Sequence, residues 1–115
     1  MWDADPVARL LAAERADVLG RIEGLRRELE QLIEASVGDN ADDEHDPEGA
    51  TIAFERAQLG SLLASAEQRL AQIDRTVASV AAGTYGRCEQ CGGPIGSERL
   101  AARPSATTCV ACASA

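Results

Sequence analysis

The chain has 115 residues with a formal net charge of −8, and its eleven basic residues are all arginine. That length allows one ordinary domain, or a helical hairpin plus a mini-domain. One Trp, one Tyr and one Phe exclude a large aromatic core, and the acidic balance counts against DNA or RNA as the main partner.

The opening residues, Met1-Trp2-Asp3-Ala4-Asp5-Pro6, lack the basic and apolar regions of a signal peptide, and no apolar run approaches transmembrane length. The expected location is therefore cytoplasmic, with no membrane partner. From about Asp5 to Ser36 the pattern is helical: Leu11, Val18, Ile22, Leu25, Leu29 and Leu32 form a three-to-four-residue stripe that Arg15 interrupts at one turn. Asp5 is the expected cap and Pro6 the expected first helical residue.

Residues 37–49 read as a break. Gly38 and Pro47 punctuate it, and the segment carries Asp39, Asp42, Asp43, Glu44, His45, Asp46 and Glu48 without a basic residue. The plain reading is a solvated turn whose acids favour the start of the next helix. The sharper one is a carboxylate cluster held out on an arm, able to enter a positive or metal-containing cavity of a partner. A calcium EF-hand loop does not fit, because Ala41 and Glu44 stand where a ligand and a glycine are needed. His45 has no identifiable partner and reads as a turn residue.

A second helix is expected over about 50–82, with a seam of Leu59, Leu63, Ala66, Leu70, Ile73, Val77 and Val80. Two seams of similar length joined by a break predict a mainly α fold, a long antiparallel helical hairpin or coiled coil. Each arm of roughly 30 residues would extend about 45 Å. Two such helices bury little surface alone, so association into a larger bundle is the alternative.

Gly83-Thr84-Tyr85-Gly86 ends the second helix and opens a small module over 83–115. It holds Cys88, Cys91, Cys109 and Cys112, the only cysteines of the chain, as two Cys-x2-Cys pairs separated by 17 residues. In a reducing compartment this spacing predicts one tetrahedral zinc ion; an oxidising one would favour two disulfides. Iron–sulfur ligation also uses four thiolates, but compact paired knuckles suit a zinc ribbon better. A site closed by four thiolates is structural and leaves no open position for catalysis. Tyr85, Ile95, Leu100 and Pro104 are the expected apolar cover, and Gly92 and Gly93 the tight knuckle whose N–H groups point at sulfur. The domain reading is thus 1–82 for the hairpin, its acidic tip at 37–49, and 83–115 for the zinc module at its base.

The run Gly83-Thr84-Tyr85-Gly86-Arg87-Cys88, with Cys91-Gly92, Ile95, Arg99-Leu100, Ala102, Pro104, Ala106 and the second cysteine pair, closely resembles the DksA/TraR family of bacterial transcription regulators. The resemblance implies a non-catalytic regulator of initiation that enters the secondary channel of RNA polymerase and presents its coiled-coil tip toward the active site. It places the partner-binding tip at Asp42, Asp43, His45, Asp46, Glu48 and Ala50. The family's Asp-x-x-Asp-x-Ala tip motif, counted back from Cys88 without gaps, falls on His45, Glu48 and Ala50. Asp43 and Asp46 keep the acidic spacing, with Glu48 in the alanine position. Arg103 matches an arginine of the family's guanosine tetraphosphate site, whereas its basic partners fall on Gln72 and Ala113, so weak or no alarmone binding is expected. Three residues follow Cys112, and the C-terminal helix of longer members is expected to be missing.

Two other functions are compatible with the residues. One is a zinc-stabilised structural or redox-sensing adaptor, in which thiolate oxidation releases the ion. The other is a zinc-ribbon nucleic-acid module, with only Arg87, Arg99 and Arg103 to supply positive charge and almost no aromatic residue to stack on bases. An enzyme is not expected, for want of a nucleophile–base pair, a phosphate loop or an open metal position.

Overall fold

The structure, a computed structural model, describes residues 4–37 and 47–114. Two long helices, α1 (Ala4–Val37) and α2 (Pro47–Ala82), are followed by two short ones, α3 (Ser97–Ala102) and α4 (Val110–Ala113). The architecture is mainly α, an antiparallel helical pair followed by a small four-cysteine module. No helix among the described residues is long and apolar enough to cross a membrane.

Both long helices extend past their expected ends. α1 starts at Ala4, so Asp5 lies inside its first turn and is not the cap. Pro6 is tolerated there because the first four N–H groups of a helix have no intrahelical acceptor. α2 starts at Pro47, three residues before the expected Ala50. Proline is pre-set for a first helical position, and Glu48 adds negative charge where the helix dipole favours it. The break is therefore shorter than 37–49: Val37 belongs to α1, and Pro47, Glu48 and Gly49 to α2.

The residues group into two units, 1–17 with 69–115, and 18–68. In the first, α1 and α2 run antiparallel. Arg15 Nε donates to Asp74 Oδ1 at 2.7 Å, and Arg69 pairs with Glu14. Val7, Leu11 and Ile73 are buried. In the second unit the helices are again antiparallel, with Ile22 and Ala66 buried and Arg26 reaching Glu67 at 3.3 Å. Val18, Leu25, Leu29 and Leu32 on α1, and Leu59 and Leu63 on α2, are only half-buried. The expected α1 stripe is thus observed.

On α2 the stripe departs at one position. Val77 is exposed and Thr76 is buried in its place. Both are compatible with the three-to-four rhythm, but the inward side at this level faces the segment around Ser105. There the Thr76 hydroxyl lies 3.0 Å from the Gln72 carbonyl and 3.3 Å from the Ser105 carbonyl. A hydroxyl satisfies buried carbonyls that a valine cannot.

α2 ends in a Schellman motif. Gly83 has φ +77°, its N–H donates to Val80 O at 3.2 Å, and the Thr84 N–H donates to Ser79 O at 2.9 Å. A residue with Cβ resists that left-handed conformation, so glycine sets the exit of the chain toward the cysteines. The expectation that Gly83–Gly86 stops the helix is met at Gly83.

Candidate metal centre

Two knuckles bring the four cysteines together. In the first, an isolated antiparallel bridge joins Arg87 to Pro94, and the Cys88 N–H donates to Gly93 O at 2.8 Å. The turn closes through the Gly92 N–H to Cys88 O at 3.0 Å, with Gly92 at φ +74°. The next amide, Gly93 N–H, points at Cys91 Sγ at 3.4 Å, as anticipated for a metal-binding knuckle. In the second, Cys109 precedes the first residue of α4 and Cys112 lies within that helix. The Glu89 N–H donates to Thr107 O at 2.8 Å, tying the two knuckles together.

The four Sγ atoms all lie within 4.8 Å of one another, and Cys91 Sγ to Cys109 Sγ is 3.9 Å. Zn–S bonds of about 2.3 Å in a tetrahedron require sulfur–sulfur edges of about 3.8 Å, so the arrangement fits one zinc ion. The four cysteines are free. Cys88 is buried, Cys109 and Cys112 half-buried, and Cys91 exposed.

The local electrostatics point the same way. Hydrogen bonds from the backbone of Cys91, then of Cys109, hold the Cys88 thiol down to about 6. Cys112 is pushed up to about 12, first by hydrogen bonding with Cys109, then with Cys88, and by burial. Protein groups alone thus favour one thiolate readily and oppose the last. A divalent cation supplies the charge that lets all four ionise.

The module has its own small core. Cys88, Ile95, Leu100 and Ala106 are buried together, with Tyr85, Cys109 and Cys112 packed against them. The expected cover is found at Tyr85, Ile95 and Leu100, while Pro104 contributes its carbonyl, which accepts from Tyr85 Oη at 2.8 Å. Burial, and then the nearby Glu14 charge, keeps the Tyr85 hydroxyl protonated to higher pH than usual. Arg99 Nε donates to Thr108 O at 2.8 Å, bracing the approach to Cys109.

A polar clamp holds this module to the helices of its unit. Ser105 is fully buried. Its Oγ donates to Glu14 Oε1 at 3.0 Å, and its carbonyl accepts from Gln72 Nε2 at 2.9 Å and lies within reach of Thr76. Arg69 pairs with the same Glu14 oxygen. Arg75 Nε reaches Glu89 Oε1 at 3.0 Å. Sequence reasoning did not single out Ser105, Thr76, Glu14 or Arg69; the nearest signal was a lone polar residue inside the Pro104–Ala106 cover.

The chain is similar to known proteins in both sequence and fold. Residues 83–115 match the prokaryotic dksA/traR C4-type zinc finger. Over 41 residues the chain is 49% identical to the RNA polymerase-binding transcription factor DksA of Caulobacter vibrioides, covering 36% of this chain and 29% of that protein. Over 96% of its length it superposes on the transcription factor DksA2 from Pseudomonas aeruginosa, covering 80% of that chain with a TM-score of 0.77 and 31% identity. The chain belongs to the DksA/TraR family. Another family-like structure, the DnaK suppressor protein from Agrobacterium tumefaciens C58, matches 99% of this chain and 94% of its own length, with a TM-score of 0.60 and 26% identity. The family's C4 zinc finger and the clustered sulfurs together establish one structural zinc ion as the cofactor of this DksA/TraR protein.

Of the other predicted site residues, Asp42, Asp43, His45 and Asp46 lie outside the described residues. Glu48 and Ala50 fall in the first turn of α2, where Ala50 is exposed. Arg103 is exposed just after α3. Gln72, one of the two positions where the resemblance expects a basic partner, spends its amide on Ser105 O.

Proposed function

We propose that this chain is a non-catalytic regulator of transcription initiation that binds RNA polymerase through its secondary channel. The carrying observation is the likeness to a transcription factor over nearly the whole chain, at a TM-score of 0.77 and 31% identity. The name of the Caulobacter relative, RNA polymerase-binding transcription factor, supports the partner, although that match spans less than a third of the relative.

In this reading Cys88, Cys91, Cys109 and Cys112 hold the zinc ion, which supplies a closed tetrahedral crosslink and no chemistry. Glu14, Arg69, Gln72, Thr76 and Ser105 carry that rigidity into the adjoining helix ends. The acids at Asp42, Asp43, Asp46 and Glu48, with His45 and Ala50, act at the polymerase active-site region. DNA and RNA are not direct partners, the location is cytoplasmic, and alarmone cooperation through Arg103 is weak, because Gln72 and Ala113 bring no charge to a phosphate.

The test is initiation by purified cognate RNA polymerase on a ribosomal promoter, with zinc-loaded protein and with the variant Asp43→Ala/Asp46→Ala/Glu48→Ala. The expected result is a change in initiation that the variant loses while still binding polymerase. No effect of the parent protein at concentrations where it is bound would refute the proposed action of the tip, and no binding would refute the partner.

The exposure of Cys91 favours a second, compatible reading, in which oxidation starts at that sulfur and releases zinc. Mild peroxide should then lower the thiol count and the zinc content together; an unchanged zinc content rules it out.

A further inference from the structure

The unit at 18–68 carries an open groove that the metal centre does not explain. Leu32 and Ala35 on α1, with Leu59 and Leu62 on α2, form its floor, and its volume is about 670 Å³. Its rim carries Glu28 and Glu55 and no arginine, and among the described residues neither carboxylate takes part in an ion pair. Phe54, 70% exposed, sits one helical turn before the groove residue Gln58.

We propose that this groove is a docking site for a basic amphipathic helix of a protein partner. The lining on α1 runs from Glu28 to Ala35, about two turns or roughly 10 Å. That length receives anchors at i, i+3 or i+4, and i+7 of a helix laid along it. Charge decides the occupant. Unit 18–68 has twelve Asp and Glu against four Arg, so all of the formal −8 resides there. A second copy meeting groove to groove would set Glu28 and Glu55 against the same acids of its partner, whereas arginine or lysine flanking an apolar stripe would pair with them. The proposal rests on the preceding reading for which protein supplies the helix, and on the groove for its chemistry.

The test uses the full zinc-loaded chain and a labelled amphipathic peptide with Leu on one face and Arg on the other, followed by fluorescence anisotropy. Its control keeps every Arg and replaces Leu by Ser. The Leu/Arg peptide should bind and the Ser/Arg peptide should not. Leu62→Glu, at a position already 37% exposed, should weaken binding about tenfold or more. Glu28→Gln/Glu55→Gln, which leaves the floor intact, should weaken it about threefold and flatten its salt dependence. Equal binding of the two peptides, or no effect of either variant with circular dichroism unchanged, overturns the proposal. So does a dimer in sedimentation equilibrium that Leu62→Glu dissociates. RNA polymerase is titrated in parallel: its failure to bind the parent chain would strike the preceding reading, while the peptide result would still decide the groove.

Discussion

The unit at 1–17 and 69–115 and the unit at 18–68 are built from the same two helices, yet they differ in charge and in burial. The first has seven Asp and Glu against seven Arg, a formal charge of zero; the second carries the entire −8. Among the described residues that are buried, only Ile22 and Ala66 belong to 18–68, while Val7, Leu11, Ile73, Thr76, Cys88, Ile95, Leu100, Ser105 and Ala106 belong to the other unit. Two paired helices shield only a narrow seam from water, and a further layer buries more of their side chains. In the first unit the cysteine-bearing segment is that layer. In the second nothing among the described residues plays the part.

The largest expected effect comes from removing the metal. Apparent zinc-binding free energies of about 10–16 kcal/mol in small metal-folded modules exceed anything the four-residue core of residues 83–115 can supply. Chelation should therefore abolish amide protection in α3 and α4, whose six and four residues cannot persist as isolated helices. It should leave 18–68 less affected, and hydrogen exchange with and without chelator decides this; protection retained in α3 without zinc would break the contrast. The pH dependence has a definite sign. Zinc needs all four thiolates, so affinity falls as pH falls. With the module unfolded in the absence of zinc, its four thiols return to their ordinary range of about 8.5 and are mostly protonated at neutral pH. A pH indicator should thus report close to four protons released per zinc at neutral pH.

The next effect concerns packing. Leu11→Ala or Ile73→Ala, at fully buried positions, should cost about 2–5 kcal/mol in urea unfolding, against about 1 kcal/mol for Leu59→Ala at a half-buried one. Equal costs would mean that the two units share one level of packing. Smaller still is the clamp. Ser105→Ala should lose about 1 kcal/mol, since Glu14 keeps Arg69 as a partner. Asp74→Ala should leave the urea midpoint unchanged within error, because its ion pair with Arg15 is largely exposed and screened by solvent.

The two helices, the α1 stripe and the cysteine pairs were legible because each depends on local rules: a three-to-four-residue period, glycine at a helix exit, and ligand spacing. Helix ends were less so. Pro47 read as a breaker, but proline suits a first turn, and Gly49 after it costs a helix only about 1 kcal/mol. Periodicity could not choose between Thr76 and Val77, one residue apart on adjoining faces of α2. The boundary drawn at 82/83 followed the helix stop at Gly83, whereas packing joins the helix ends to the segment that holds Ser105.

By itself, then, the sequence determined the helical periods, the Gly83 stop and a four-thiolate site, because these are encoded over a few neighbouring residues. Only the tertiary structure decided which of α2's faces is covered, that Glu14 and Ser105 meet across 91 positions, and that the charge gathers in one unit with an acidic-rimmed groove. Those outcomes depend on which distant residues share a solvent-excluded space, and no local pattern carries that information.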